Sequence, residues 1–258
     1  MKSVIKKLSR TKFALALRNS FNIKPIHLDA KEKGYFTTVS DAFLWRTDNG
    51  YKTKFKYSDI LNLFYKIDNS WVELHFFSKE NELIKIKKVS SLKLSNEIEI
   101  TKEFLNNTED YGIFYIYHHS QNETDLHDRS IISNRCYLGY SQNNNLYSFV
   151  HGNILAKYTS VNTKGKILSD IVKTSLFKNQ VYTIQKYFND FSKNELFFIN
   201  PTSKKIKFSV ENKEYELNSH CGKMLETKSN IISIKSNCLF FRPTIFSYKD
   251  NYIDVHHS

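Results

Sequence analysis

The sequence predicts an all-β fold, two related antiparallel β-sandwich domains behind a short N-terminal helix, on three observations. Short segments of alternating apolar and polar residues recur along most of the 258 residues, divided by polar turns. Successive side chains of a strand point to opposite faces, so this alternation marks sheets with one buried and one wet face. The chain carries 20 Phe and 16 Tyr, which suit a pleated, half-buried surface, while helical periodicity is confined to two short intervals. With only 7 Gly and 3 Pro, its turns must rest on Asn, Asp and Ser, which bond their own backbone. We divide the chain into a basic helical segment over 1–34, a first sandwich over 35–160 and a second over 161–258.

Residues 3–20 mix Val4, Ile5, Leu8, Leu15 and Leu17 with Lys6, Lys7, Arg10, Lys12 and Arg18, a loosely amphipathic helix. It either rests on an anionic membrane surface or packs on the body by its apolar side. The first strands follow at Tyr35–Val39 and Ser40–Arg46. Asp48-Asn49-Gly50 then separates Ser40–Arg46 from Tyr51–Tyr57, and Asn-Gly between alternating arms predicts a hairpin. In the second arm Tyr51, Thr53, Phe55 and Tyr57 share one face, and Lys52, Lys54 and Lys56 the other.

A second hairpin is expected from Trp71–Phe77 and Leu83–Lys87, with Glu97–Ile100 after it. His75 falls on the face of Trp71 and Phe77, and a lone histidine there reads as structural. Tyr111–Tyr117 is a further strand. Beyond it, Val181–Ile184, Glu195–Pro201, Lys205–Val210, Glu214–Leu217, Ile231–Lys235, Cys238–Pro243 and Tyr252–His257 continue the pattern. Ile167, Ile171, Val172 and Leu176 predict a short helix over about 165–177. The halves read as a repeat in which 196–199 takes the place of 74–77.

Composition narrows the function. The formal charge of +12 comes from lysine rather than arginine, with no basic helix or Arg-lined groove, so nucleic acid is set aside as a partner. Cys136, Cys221 and Cys238 are odd in number and widely spaced, which indicates neither a disulfide framework nor a zinc knuckle. No segment approaches the roughly 20 apolar residues of a membrane-spanning helix, and Phe13–Leu17 is too short for a signal core. The expectation is a soluble, cytoplasmic protein.

Chemistry concentrates between Tyr111 and Asn153. The strand ending in His118-His119-Ser120 is followed by His127-Asp128-Arg129, then Tyr137–Tyr140, then His151-Gly152-Asn153, and a second His-His-Ser holds His256 and His257. Strand alternation puts His119 with Tyr115 and Tyr117, His118 with Phe114 and Ile116, and Asp254 with His256, opposite Ile253, Val255 and His257. A metal would draw on His119, His151, Asp254 and His256. No zinc-binding spacing, Gly-x-Ser-x-Gly or glycine-rich phosphate loop accompanies them.

Tyrosines interleaved with Asn, His, Asp and Arg suit a sugar, which needs aromatic faces and planar polar groups. The expected activity is therefore recognition of a polar ligand, a glycan or sugar-derived molecule. Its site is expected from His118, His119, His127, Asp128, Arg129, Tyr140, His151, Asn153, Asp254 and His256. The alternatives are a metal-dependent or acid–base enzyme acting on a similar ligand, and a structural or interaction protein. The last strand is expected to dock on the central window through Asp254 or His256.

Overall fold

The computed structural model describes residues 11, 13–14, 17, 37–121, 131–160, 167–172, 174, 179–185, 191–238 and 241–257. These are nearly all strand, and every pairing is antiparallel except that of β1 with β8. Among the described residues the strands, numbered along the chain, form five four-stranded sheets. Sheet I has the order β12 (Ile167–Asp170), β11 (Leu155–Ser160), β1 (Thr37–Asp41), β8 (Ile131–Asn134). Sheet II is β2 (Phe43–Arg46), β7 (Tyr111–Ser120), β4 (Ser70–Ser78), β5 (Leu83–Val89). Sheet III is β10 (Ser148–His151), β9 (Tyr137–Gln142), β3 (Tyr51–Ser58), β6 (Ser95–Ile100). Sheet IV is β17 (Gly222–Thr227), β14 (Lys193–Ile199), β19 (Thr244–Lys249), β20 (Tyr252–His257). Sheet V is β13 (Gln180–Gln185), β18 (Ile231–Ser236), β15 (Ile206–Val210), β16 (Lys213–Leu217).

The alternation read from sequence is visible in the burial of β3, where Tyr51, Thr53, Phe55 and Tyr57 are buried and the lysines between them are not. In β4, Val72, Leu74 and Phe76 point inward and Trp71, Glu73 and His75 outward. The interior strand β7 departs from the alternating pattern, since all its residues after Tyr111 are buried. Both its faces are covered, so His118 and His119 stay in the strand to its end.

Two buried clusters form the core. One gathers sheets II and III around Phe43, Trp45, Phe55, Phe76 and Phe114. The other gathers sheet V around Phe208, Val210, Ile232 and Ile234. Sheet IV serves both. Phe197, Ile199, Phe246 and Val255 enter the first cluster, while Leu196, Phe198 and Ile245 enter the second. Successive residues of β14 thus feed opposite cores, as strand geometry requires.

Three local expectations are corrected. The turn at Asp48–Gly50 exists, with Asn49 and Gly50 at positive φ, but it carries the chain from sheet II to sheet III instead of closing a hairpin. Residues 167–170 are a strand paired with β11, because ladder pairing outweighs a weak helical spacing. The supposed repeat pairs its strands differently: β5 lies beside β4 in sheet II, whereas β15 leaves β14 for sheet V.

A helix the periodicity missed, α1 (Ile60–Tyr65), is capped by Asp59, whose carboxylate accepts from Asn62 N–H at 3.1 Å. Of the N-terminal segment, Phe13, Ala14 and Leu17 are helical, with Phe13 and Leu17 exposed, Thr11 is an exposed bend, and the rest lies outside the described residues. No helix among the described residues is long and apolar enough to cross a membrane.

Candidate functional site

On the outer face of sheet II, β7 presents Tyr115, Tyr117 and His119 opposite His75, Glu73 and Trp71 of β4. His119 stacks on Trp71 at 5.4 Å between ring centres, and its Nε2 lies 3.8 Å from Glu73 Oε2. His75 Nε2 lies 3.1 Å from the same oxygen, and its ring meets Tyr117 edge-on at 4.8 Å.

Sheet I covers the other end of this row. Lys157 Nζ of β11 hydrogen-bonds Asp170 Oδ1 of β12 and sits 3.2 Å from His220 Nε2, which lies 3.5 Å from Asp170 Oδ2. The Lys157 ammonium stands 5.9 Å from the Tyr115 ring centre. Burial pushes the Tyr115 hydroxyl well above its ordinary pKa, and Asp170 adds to this. Its Oη has no hydrogen-bond partner among the described residues. Burial also lowers His220, helped by Lys157 and opposed by Asp170.

His118, on the inner face, has neither ring nitrogen hydrogen-bonded among the described residues. Burial, with the neighbouring His119, lowers its pKa to about 3, so it is a neutral imidazole in the core.

Asp41 ends β1 fully buried, with both carboxyl oxygens unpartnered among the described residues and Arg135 Nε 4.0 Å away. Burial, only partly opposed by Arg135, raises its pKa to about 7. Gly152 makes room for it, since a Cβ there would stand 2.3 Å from Asp41 Oδ2.

The last strand docks on the central window at the edge where β10 meets β20. Ser148 Oγ accepts from Val255 N–H at 2.9 Å, and His151 and His257 bring their Nε2 atoms to 3.0 Å. The inward face of β20 is therefore that of Ile253, Val255 and His257. His256 instead sits 3.3 Å from Ser247 Oγ, where burial lowers its pKa against the pull of Asp254, and Asp254 is exposed.

At the opposite end of the same edge, the β9–β10 and β19–β20 turns frame an open groove of about 580 Å³. It is lined by Gln142, Asn145, Tyr147, Asp250, Asn251 and Tyr252 among others. Asn145 Nδ2 donates to Asn251 O across it at 3.0 Å, and the Tyr147 hydroxyl donates to Glu99 at 2.5 Å. Tyr252 is 67% exposed.

The residues singled out from sequence therefore fall in separate places. His119 joins the outer cluster, His118 is core, and His151 is at the edge. Tyr140 is buried, its hydroxyl donating to Leu44 O at 3.0 Å. Asn153 is half-buried, its Nδ2 unpartnered among the described residues. His127, Asp128 and Arg129 lie outside the described residues. Among the described residues no group of three or more His, Cys, Asp and Glu is placed to hold a metal ion. Asp41, Lys157, Asp170 and His220 carry no local motif; strand pairing sets Lys157 beside Asp170, and the loop between β16 and β17 brings His220 to them. No protein-family model and no curated protein matches the chain.

Proposed function

We propose that the chain recognises a polar ligand, a glycan or sugar-derived molecule, in the groove between the β9–β10 and β19–β20 turns. The observation that carries this reading is the lining, which combines the amides of Gln142, Asn145 and Asn251 and the carboxylate of Asp250 with the exposed ring of Tyr252. Planar amides and carboxylates suit adjacent hydroxyls, and an exposed aromatic face suits the C–H face of a sugar ring. The histidines of the central window then hold the scaffold, and the ligand sits beside them.

The two-sandwich reading rests on the two buried clusters, with sheet IV as their common wall. A reducing, cytoplasmic setting is supported by Cys136, Cys221 and Cys238, none of which is in a disulfide.

The test is a glycan array probed with the full chain, followed by calorimetry on the strongest hit. Tyr252→Ala and Asp250→Asn are each expected to weaken binding roughly tenfold or more while leaving the unfolding midpoint in place. Binding that survives both substitutions removes the groove, and no bound glycan at all removes the reading. An acid–base enzyme is the second reading, carried by Lys157, Asp170 and His220 beside the unpartnered Tyr115 hydroxyl. Consumption of the sugar that stops in Asp170→Asn favours that reading instead.

A further inference from the structure

We propose that His151 and His257 form a two-imidazole site for a divalent transition-metal ion with right-angle coordination, copper(II) foremost, that clips β20 to β10. Their Nε2 atoms are 3.0 Å apart and their ring centres 4.3 Å apart, with the ring planes inclined at 61°. A straight N–H···N hydrogen bond of that length places the ring centres about 5.3 Å apart. With metal–nitrogen bonds of about 2.0–2.1 Å, two imidazoles at right angles around one ion have nitrogens about 2.9 Å and ring centres about 4.5 Å apart. The pair falls within a few tenths of an ångström of the second geometry and far from the first. Its rings lean together rather than meeting end to end.

The first ligand is also oriented as a ligand should be. His151 Nδ1 donates to Gly152 O at 2.7 Å, which places the proton on Nδ1 and leaves the Nε2 lone pair free to face His257. A backbone carbonyl on the far nitrogen is the usual support of a metal-bound imidazole. Both histidines are half-buried, so water has access to the remaining coordination positions. Imidazole nitrogens at right angles suit copper(II) or nickel(II), and copper(II) binds the more tightly of the two. The site draws on neither the groove nor its ligand and stands or falls independently of the function proposed above.

The test titrates the full chain with copper(II) in a calorimeter and records the electron paramagnetic resonance spectrum of the product. One ion per chain is expected, with hyperfine structure from two imidazole nitrogens. His151→Ala and His257→Ala should each weaken binding roughly tenfold or more, and His256→Ala should leave it unchanged. Failure of the unmodified protein to bind one ion, a spectrum lacking two coordinated imidazoles, or equal binding by both alanine variants overturns the proposal. The spectrum of the unmodified protein decides the matter even if a variant misfolds.

Discussion

Sheet IV meets the sheets of the first cluster in several places, two of which contrast. Where β2 and β3 approach β14 and β19, Arg46 is buried and its guanidinium is densely hydrogen-bonded. It donates to both oxygens of Asp48 at 3.0 and 2.8 Å, to Glu195 at 2.7 Å and to the Tyr248 hydroxyl at 3.3 Å. Tyr51 and Tyr248 close the ring with hydroxyls 2.6 Å apart, and the guanidinium lies 3.9 Å from the Tyr51 ring centre. Burial alone would lower the Arg46 pKa, yet Asp48 keeps it above its ordinary value. Where β10 approaches β20, the joints among the described residues include a hydroxyl–amide bond, an imidazole pair and the Asn145–Asn251 bond, and an open groove lies beside them. A junction whose polar groups are mostly matched to one another holds parts together and leaves little for a ligand. A sparse one keeps room and donors for a visitor.

The largest expected effect is at the densely bonded junction. Arg46→Ala leaves Asp48 and Glu195 without their shared cation in a largely buried setting. It should cost about 3–5 kcal/mol, read as a lowered denaturant midpoint. Loss under about 1 kcal/mol would show that the network is decorative and erase the contrast.

Next is Asp41, which lies against Gly152 close to the sparse junction. Its folded pKa of about 7 is above its ordinary 3.8, so the folded state holds the proton more tightly. This contribution is fully present below pH 3.8 and is lost as pH rises to about 7. His118 acts in the opposite sense. Its folded pKa of about 3 is below its ordinary 6.5, so its contribution is present above pH 6.5 and lost as pH falls toward 3. Between about pH 4 and 6.5 the two oppose each other, and stability there should be nearly flat. Asp41→Asn should add about 2–4 kcal/mol at pH 8 and unmask a stability that falls with acid. His118→Leu should instead unmask one that falls with base. Denaturant midpoints at pH 4, 6 and 8 decide it, and identical profiles for the three proteins would refute the opposition.

The smallest effect belongs to the sparse junction itself. Ser148→Ala removes the acceptor for Val255 N–H and should cost about 1 kcal/mol by the same measurement. It should also speed amide exchange at Val255 before that of the neighbouring core strands. A cost matching that of Arg46→Ala would mean the two junctions are built alike.

What was legible in the sequence follows from which interactions are local. Alternation in β3 and β4 is local, and the faces it assigns are those observed. The chemistry of Asp48-Asn49-Gly50 is local too, so the turn was readable, but the choice of sheet on leaving it depends on residues far along the chain. Residues 167–170 have weak preferences, and β11 decides their state.

For β20, alternation separated His256 from His257 correctly. The docking face is the one that Ile253 and Val255 mark as inward, not the polar face of Asp254 and His256. Asp41 and Asp170 left no trace in the sequence, because a carboxylate in a strand looks the same whether water or a core surrounds it. Their roles arise from burial and from partners on other strands and loops: Arg135 beside Asp41, and Lys157 and His220 beside Asp170.

The double duty of sheet IV has a consequence for how the chain comes off the ribosome. Phe197, Ile199, Phe246 and Val255 wall the first hydrophobic cluster, yet they are made long after most of the residues they cover. A nascent chain halted near residue 160 would hold Trp45, Phe55 and Phe114 together with one side still bare. Such half-covered apolar surface is what holding chaperones bind and what seeds clumping of partly made chains. Ribosome-stalled chains should stay protease-sensitive until Val255 clears the exit tunnel, and the order of translation then makes β20 the latch that finishes the first core.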